Sequence, residues 1–160
     1  MEPSEALERY VARDTVFAEG LFKDKTILIF GGSSGIGLAS AWLLARLGAQ
    51  VVIAARNEGR LSTVVNSMEK AGFDRVSYVV SNVRDLDSIK EVFAKDFYKN
   101  SLHTVVNCAG GQFPQAAIDF NQKGWAAVVD TNLNGSWNLM STAANFWKQN
   151  RLKGNFVNLV

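Results

Sequence analysis

The sequence predicts an α/β fold in which a doubly wound parallel sheet is covered by helices on both faces. Three observations predict it. Short apolar runs recur along the chain, the segments between them have helical periodicity, and the first apolar run ends abruptly in a glycine-rich turn. Strands that alternate with helices are joined by crossover connections, and such connections produce a parallel sheet.

The first strand and helix are the clearest unit of this pattern. Thr26–Phe30 is almost wholly apolar, as expected of a strand that is buried on both faces, and Gly31-Gly32 ends it. The spacing of apolar residues predicts a helix over residues 36–47, closed by Gly48. The glycine-rich turn therefore lies between a buried strand and the start of a helix.

The same unit recurs along the rest of the chain. Further strands are predicted over residues 51–55, 76–80, 102–106 and 155–160, in the sheet order 3-2-1-4-5. Further helices are predicted over residues 58–71, 86–97 and 121–150. The last is expected to be long and largely buried, with Trp125, Trp137 and Trp147 in the core. Residues 1–20 are interpreted as a leader with one short helix, and residues 21–160 as the domain.

The composition disfavours several classes of function. The formal net charge of +2 over 160 residues gives no reason to expect a nucleic-acid or membrane partner. One cysteine and one histidine are too few for a usual zinc site, so no metal is expected. His103 is interpreted as a solvated residue at a strand entry. No apolar stretch reaches the ~20 residues that cross a bilayer, and the unpaired Cys108 favours a reducing, cytoplasmic location.

The glycine-rich turn carries the first chemical signal. Backbone N–H groups and the dipole at a helix start can hold a pyrophosphate, which predicts a dinucleotide site. Its expected residues are Gly31, Ser33, Ser34, Gly35, Ile36 and Gly37. Leu38 and Ala39 follow where a P-loop has Lys and Ser/Thr, which disfavours a nucleoside triphosphatase. The alternative is a turn that only permits tight packing of strand against helix.

The end of the second strand predicts which dinucleotide is bound. A carboxylate usually stands there to bind the adenosine ribose, but this sequence has Ala55-Arg56-Asn57. A guanidinium with no acid beside it favours a 2′-phosphate, so Arg56 and Asn57 are predicted to bind NADP, as NADPH in its reduced form. The alternative is that Arg56 is a solvated turn residue.

Three motifs in order resemble the short-chain dehydrogenase/reductase family of classical, Rossmann type. They are the Gly31-x-x-x-Gly35-x-Gly37 turn, Asn107-Cys108-Ala109-Gly110 and Asp130-Thr131-Asn132. The resemblance, which spans about residues 20–160, implies that Asn107, Ala109 and Gly110 close on the ribose side of the cofactor. It places Asn82 and Val83 at the adenine. It also implies a catalytic role for Asn132, whose main chain would hold a water; the alternative is an ordinary polar residue that faces solvent.

Some positions depart from the family pattern. Phe30, Asn82 and Cys108 stand where Thr, Asp and a second Asn are usual, although an Asn at position 82 still donates and accepts hydrogen bonds. Residues 16–22 and 110–114 resemble the branch of enoyl-CoA reductases and citronellol/citronellal dehydrogenases. That second resemblance leaves acyl-CoA and terpenoid or other carbonyl substrates open.

The resemblance implies an NADP-dependent oxidoreductase that acts on a small molecule and forms a homo-oligomer at full length. The family's catalytic Ser and Tyr-x-x-x-Lys have no counterpart, because none of the three tyrosines has a Lys four residues later. Residues 155–160 have the pattern of a central strand without its following helix. We therefore expect an N-terminal fragment whose C-terminal part is missing and which is inactive alone. The alternative is a non-catalytic nucleotide-binding or regulatory module.

Overall fold

The computed structural model describes residues 15–95 and 101–159. Its centre is a five-stranded parallel sheet of order β3-β2-β1-β4-β5, which confirms the predicted fold class and strand order. The strands are β1 (Thr26–Phe30), β2 (Gln50–Ala55), β3 (Val76–Val80), β4 (Leu102–Asn107) and β5 (Asn155–Asn158).

Helices connect these strands and cover both faces of the sheet. They are α1 (Gly35–Arg46), α2 (Glu58–Lys70), α3 (Leu86–Phe93), α4 (Gln122–Val129) and α5 (Gly135–Gln149), with one turn of π-helix (Asp130–Asn134) between the last two. Helix α3 ends four residues before the predicted end at residue 97, and residues 96 and 97 lie outside the described ranges. The expected leader helix has no counterpart in residues 15–20. The rest of the predicted leader, residues 1–14, lies outside the described residues.

The central strand β1 separates two hydrophobic clusters. All five of its residues are buried, because neighbouring side chains point to opposite faces and both faces are covered. Leu28 and Phe30 pack in the cluster under α3 and α5. Ile27 and Ile29 pack in the cluster under α1 and α2. This double burial fixes the carboxyl end of β1, where the glycine-rich turn begins.

A bulge at the start of β4 changes the interpretation of His103. Thr26 pairs with Leu102, but Ile27 pairs with Thr104, so His103 is the extra residue. Its Nδ1 accepts a hydrogen bond from the backbone N–H of Thr26 at 3.1 Å. His103 is half-buried and bound to the neighbouring strand, so the prediction of a solvated strand-entry residue was wrong.

The long helix buries less of its surface than predicted. Trp147 is buried and donates its Nε1–H to the carbonyl of Leu102 at 2.9 Å. Trp125 and Trp137 are 63% and 62% exposed, so their expected place in the core was wrong. The physical reason is that this helix carries more than one apolar stripe, and only the stripe of α5 that includes Leu139 and Trp147 packs into the core.

In and around the π-helical turn, side-chain donors compete with backbone N–H groups for the helix carbonyls. Thr131 Oγ1 donates to the carbonyl of Ala127 at 2.8 Å, and Asn132 Nδ2 donates to the carbonyl of Val128 at 2.9 Å. Side chains that bond carbonyls one turn earlier disturb the regular ladder of a helix. Across the described ranges, no helix is both long and apolar enough to span a bilayer.

Candidate functional site

A cleft of about 780 Å³ opens at the carboxyl ends of β1 to β4. Its walls are the glycine-rich turn after β1, the loops after β2 and β3, and the residues that follow β4. In an open parallel sheet this edge is where ligands bind, because loops from several strands converge there. Among the described residues, the lining contains three arginines and no aspartate or glutamate.

The glycines of the turn permit a close approach of the backbone. A Cβ on Gly31, whose φ is +77°, would lie 2.7 Å from the carbonyl carbon and oxygen of Cys108. A Cβ on Gly37 would collide with the carbonyl oxygen of Gly31. The third glycine of the motif is therefore required by the packing of α1 against the turn itself.

The start of α1 faces the cleft without a side-chain cap. Ser34 occupies the N-cap position with extended backbone, and its side chain makes no capping hydrogen bond. Ser33, Ser34, Gly35 and Ile36 all line the cleft, as do Gly31 and Gly37. The structure thus brings every predicted residue of the turn to one wall, where helix N–H groups favour an anion.

Arg56 and Asn57 line the cleft at the end of β2. Arg56 is exposed. The side chain of Asn57 accepts a hydrogen bond from the backbone N–H of Arg60 at 2.9 Å and so caps α2. This capping role commits the Asn57 oxygen to the helix. Arg56 is the charged residue of the two, and its guanidinium forms no ion pair with a carboxylate of the described residues.

Asn82 and Val83 line the cleft after β3. Asn82 Oδ1 accepts from the backbone N–H of Arg84 at 3.2 Å, and the Asn82 N–H donates to Ser88 Oγ. Val83 lies against the long helix, since a Cβ on Gly135 would be 3.0 Å from Val83 Cγ2. The loop is held in shape by its own hydrogen bonds and by this contact.

Asn107 is not part of the cleft lining. It is fully buried at the end of β4, where its Nδ2 donates to Ser136 Oγ at 3.0 Å and to Asn158 Oδ1 at 2.7 Å. Its Oδ1 accepts from the backbone N–H of Ala109 at 3.1 Å. Ala109 and Gly110 do line the cleft. Asn107 therefore positions the loop that carries them.

Asn132 also lies outside the lining, although the neighbouring Thr131 is part of it. Asn132 Oδ1 accepts from the N–H of Gly111 at 3.2 Å, while its Nδ2 donates to the carbonyls of Gly111 and Val128. The side chain is half-buried with three hydrogen bonds, so the alternative of a polar residue that faces solvent was wrong.

Cys108 lies against the glycine-rich turn and lines the cleft. Burial raises the pKa of its thiol, because a thiolate loses hydration there. Among the described residues no group of three or more metal-ligating side chains converges.

Two arginines of the lining were missed by sequence reasoning. Arg60 lies in the first turn of α2, and its signal was the N-cap Asn57 three residues earlier. Arg84 follows Asn82 by two residues and pairs with Asp130 at 3.8 Å. Asp130 lies on the π-helical turn, 46 residues later in the sequence, so no local pattern predicts this ion pair.

Residues 25–160 match the sequence profile of the family described as short chain dehydrogenase. A 3β-hydroxysteroid dehydrogenase of Mediterraneibacter gnavus is 37% identical over 120 residues, covering 74% of this chain and 43% of that protein. An uncharacterized oxidoreductase of Staphylococcus aureus is 32% identical over 113 residues, covering 71% of this chain and 48% of that protein. The chain thus spans less than half the length of these curated relatives.

Two solved structures share the fold. The citronellol catabolism dehydrogenase of Pseudomonas aeruginosa superposes with a TM-score of 0.79 at 32% identity, covering 91% of this chain and 59% of that one. An actinorhodin polyketide ketoreductase variant solved with NADPH superposes with a TM-score of 0.76 at 28% identity, covering 84% of this chain and 52% of that one.

Proposed function

Because the chain belongs to the short chain dehydrogenase family, we propose that it carries the nucleotide-binding part of an NADP-dependent oxidoreductase. One observation supports this most. A single cleft joins an uncapped helix start, a glycine-rich turn and the exposed Arg56, and its described lining has no carboxylate. Such a lining suits a ligand with a pyrophosphate and a further phosphate.

The residues of the cleft fit a dinucleotide. Among the described atoms, none lies within 4 Å of a Cβ built on Gly35, so the space beside this glycine is open to a ligand. The loops after β3 and β4 form the remaining walls. When bound, NADPH supplies the hydride, and this chain's residues bind and orient it. Asn132 would act through its main chain, with its side chain holding the loop at Gly111.

We propose that the substrate is a small apolar molecule with a carbonyl or alcohol carbon. The names of similar proteins support this class, because they refer to citronellol, a hydroxysteroid and a ketoreductase. An enoyl-CoA substrate is the second candidate and rests on the loop resemblance of residues 110–114.

Homo-oligomerisation of the full-length protein is also a proposal. The exposed face of the long helix supports it, because Trp125, Leu133 and Trp137 are each more than 60% exposed there. Exposed apolar patches of this kind mark protein interfaces. Sedimentation velocity of the full-length protein tests it, and a monomer at high concentration contradicts it. A cytoplasmic location stays a prediction.

Fluorescence titration with NADPH and NADH tests the cofactor. If Arg56 binds the 2′-phosphate, NADPH binds roughly 10- to 100-fold more tightly than NADH. Arg56→Ala then shrinks this preference, while Arg75→Ala, which removes an exposed charge outside the cleft lining, preserves it. Equal affinities for the two cofactors in the unaltered chain would overturn the NADP assignment.

A further inference from the structure

A second cavity lies at the end of the sheet opposite the cleft. It has a volume of about 430 Å³, lies where β1, β4 and β5 begin, and is lined by residues that include Leu21, Phe22, Lys25, His103 and Lys153. We call it the amino-end pocket. None of these residues lines the cleft. Strand β1 has five residues, and at ~3.3 Å per residue its two ends lie roughly 15 Å apart. The two cavities are therefore separate.

The bulge at the start of β4 places the imidazole of His103 at the amino end of β1. Its Nδ1 accepts a hydrogen bond from the backbone N–H of Thr26 at 3.1 Å. A neutral imidazole has one acceptor nitrogen and one donor nitrogen, so this bond assigns the proton to Nε2. In the part of the chain that the structure describes, Nε2 has no acceptor. His103 therefore brings an unused N–H donor to the amino-end pocket.

Strand pairing brings two lysines to the same edge of the sheet. The N–H that donates to His103 belongs to the peptide bond that follows Lys25. Thr104, the residue after His103, pairs with Asn155 of β5, two residues after Lys153. Lys25, His103 and Lys153 thus come from the beginnings of three neighbouring strands, and all three line the amino-end pocket.

The charges of the amino-end pocket favour an anion. Lys25 and Lys153 are exposed, and neither forms an ion pair within residues 15–95 and 101–159. The described lining contains no aspartate or glutamate, and Asp24, the acid next to Lys25, lies outside it. Two ammonium groups and one N–H donor suit a carboxylate or a phosphate, because both groups accept several charge-assisted hydrogen bonds.

One wall of the amino-end pocket is apolar and is fixed by backbone hydrogen bonds. Leu21 and Phe22 supply its apolar surface. The N–H of Phe22 donates to the carbonyl of Leu47 at 2.9 Å, and the carbonyl of Phe22 accepts from the N–H of Lys25 at 3.0 Å. These bonds hold the turn before β1, so the apolar surface is present without a ligand.

The opposite wall is fixed by the packing of Gly154. A Cβ on Gly154 would collide with the indole of Trp147, so the backbone at this position lies directly against the ring. The Nε1–H of the same indole donates to the carbonyl of Leu102, the residue before the bulge. One side chain thus holds the starts of β4 and β5 together, and little ordering of the backbone is needed when a ligand binds.

We propose that the amino-end pocket binds an organic anion, in which a carboxylate or phosphate group is attached to an apolar ring system. The anionic group lies between the two lysines and the Nε2–H of His103, and the ring system lies against Phe22. A volume of about 430 Å³ is in the range of small-molecule sites, ~300–1,000 Å³. Because the cavities are separate, this anion and NADPH bind at the same time.

The single histidine of the chain provides the measurement. The Cε1–H of His103 gives one NMR signal in the untagged 160-residue chain labelled with ¹³C-histidine, and this signal reports on the amino-end pocket. The probes are 2-naphthoate, 2-naphthyl phosphate and the neutral isostere 2-naphthamide, each titrated at constant pH. The first two distinguish a carboxylate from a phosphate, and the third measures what the charge contributes.

At least one of the two anions is expected to shift the His103 signal saturably, and the anion that binds more tightly identifies the headgroup. The isostere 2-naphthamide is expected to bind roughly tenfold more weakly or less, because it carries no charge. Saturating NADPH is expected to leave the affinity for the anion unchanged.

Lysine variants test the anion contacts. Lys25→Ala and Lys153→Ala are each expected to weaken the anion roughly 3- to 5-fold, since each removes one exposed charge, and the double variant roughly tenfold or more. Lys70→Ala, which removes an exposed charge outside both linings, is expected to bind as the unaltered chain does. Thermal melting checks that each variant is folded.

The absence of a saturable shift with both anions would overturn the site. Equal affinity for 2-naphthamide, or unchanged affinity in the double lysine variant, would show apolar contact without recognition of an anion and would also overturn it. Competition by NADPH would mean that the anion occupies the cleft and shifts the His103 signal indirectly, with the same consequence. If the chain binds no NADPH, the cofactor assignment fails, and the other titrations still decide whether the amino-end pocket binds an anion.

Discussion

The side chain of Asn132 forms hydrogen bonds with both the backbone N–H and the carbonyl of Gly111. Asn132 Oδ1 accepts from the N–H of Gly111 at 3.2 Å, and Nδ2 donates to its carbonyl at 2.7 Å. The contact is tight, because a Cβ on Gly110 would lie 2.9 Å from the same Oδ1. The π-helical turn and the loop after β4 therefore form one unit at the edge of the cleft.

Asn132→Ala is expected to lower the free energy of unfolding by roughly 0.5–1.5 kcal/mol, because it removes two hydrogen bonds to the exposed Gly111 and one to the half-buried Val128. The matched control is Asn134→Ala on the same turn. Asn134 is exposed, and among the described residues its side chain donates to Asp130 of the same turn alone, so the loss is expected to be about 0.5 kcal/mol or less. Urea unfolding of both variants measures the difference. Equal losses would show that the bonds to Gly111 contribute nothing.

Gly35→Ala is expected to fold and to bind NADPH more weakly. Gly35 has a φ of +54°, so alanine costs about 1–2 kcal/mol of stability through backbone strain. Its Cβ would also enter the open space of the cleft, where the ligand approaches the turn.

Gly72→Ala is the control for strain alone. Gly72 also has a positive φ, of +93°, with no described atom within 4 Å of its Cβ, and it lies outside the cleft lining. Thermal melting is expected to show a similar decrease in Tm for Gly35→Ala and Gly72→Ala. In NADPH titrations, only Gly35→Ala is expected to have a weaker affinity. Unchanged NADPH affinity in Gly35→Ala would contradict the placement of the pyrophosphate at this turn.

The strands of the sheet were predictable because the residue types along each strand indicate whether its faces are buried. A strand buried on both faces is apolar at every position, as Thr26–Phe30 nearly is, and glycines mark the ends of the helices that follow. Gly48 and Gly72 indeed adopt positive φ after α1 and α2. These local signals were enough to predict the strands and the position of the turn, whereas the strand order was predicted from the doubly wound fold class.

Other features depend on partners that are distant in the sequence. Periodicity indicates which residues share a helix face, but it does not tell which stripe meets the sheet, so the exposure of Trp125 and Trp137 was missed. The side chain of Asn107 bonds Asn158, 51 residues later. Its positioning role could be recognised only once β4 and β5 were side by side.

Cys108 offers a direct probe of the cleft, because it is the only cysteine in the chain. Its raised pKa means that little thiolate is present near neutral pH, so alkylation by iodoacetamide should be slow at pH 7 and accelerate as pH rises through that pKa. NADPH at 100 times its Kd leaves about 1% of the cleft free and should slow the reaction roughly 100-fold. Mass spectrometry measures the rate.

Cys108→Ser is the control for labelling elsewhere and should take up no reagent. An alkylation rate that NADPH does not change would show that the cofactor binds away from Cys108. A rate that is already maximal at pH 7 would contradict the effect of burial on its pKa.

The 160-residue chain is expected to bind NADPH without oxidising it in the presence of ketones, aldehydes or enoyl-CoA. Proton transfer to a developing alkoxide needs a positioned group that ionises, and the amide of Asn132 does not. Tyr10, Tyr78 and Tyr98 lack a lysine four residues later, and the hydroxyl of Tyr78 bonds Glu58, which lies outside the cleft lining. NADPH absorbance follows turnover, and a titration of the same sample verifies that the cofactor is bound. Turnover that disappears in Asn132→Ala would place the proton-transfer group within these residues and contradict the assignment of that step to a Tyr-x-x-x-Lys that this chain lacks.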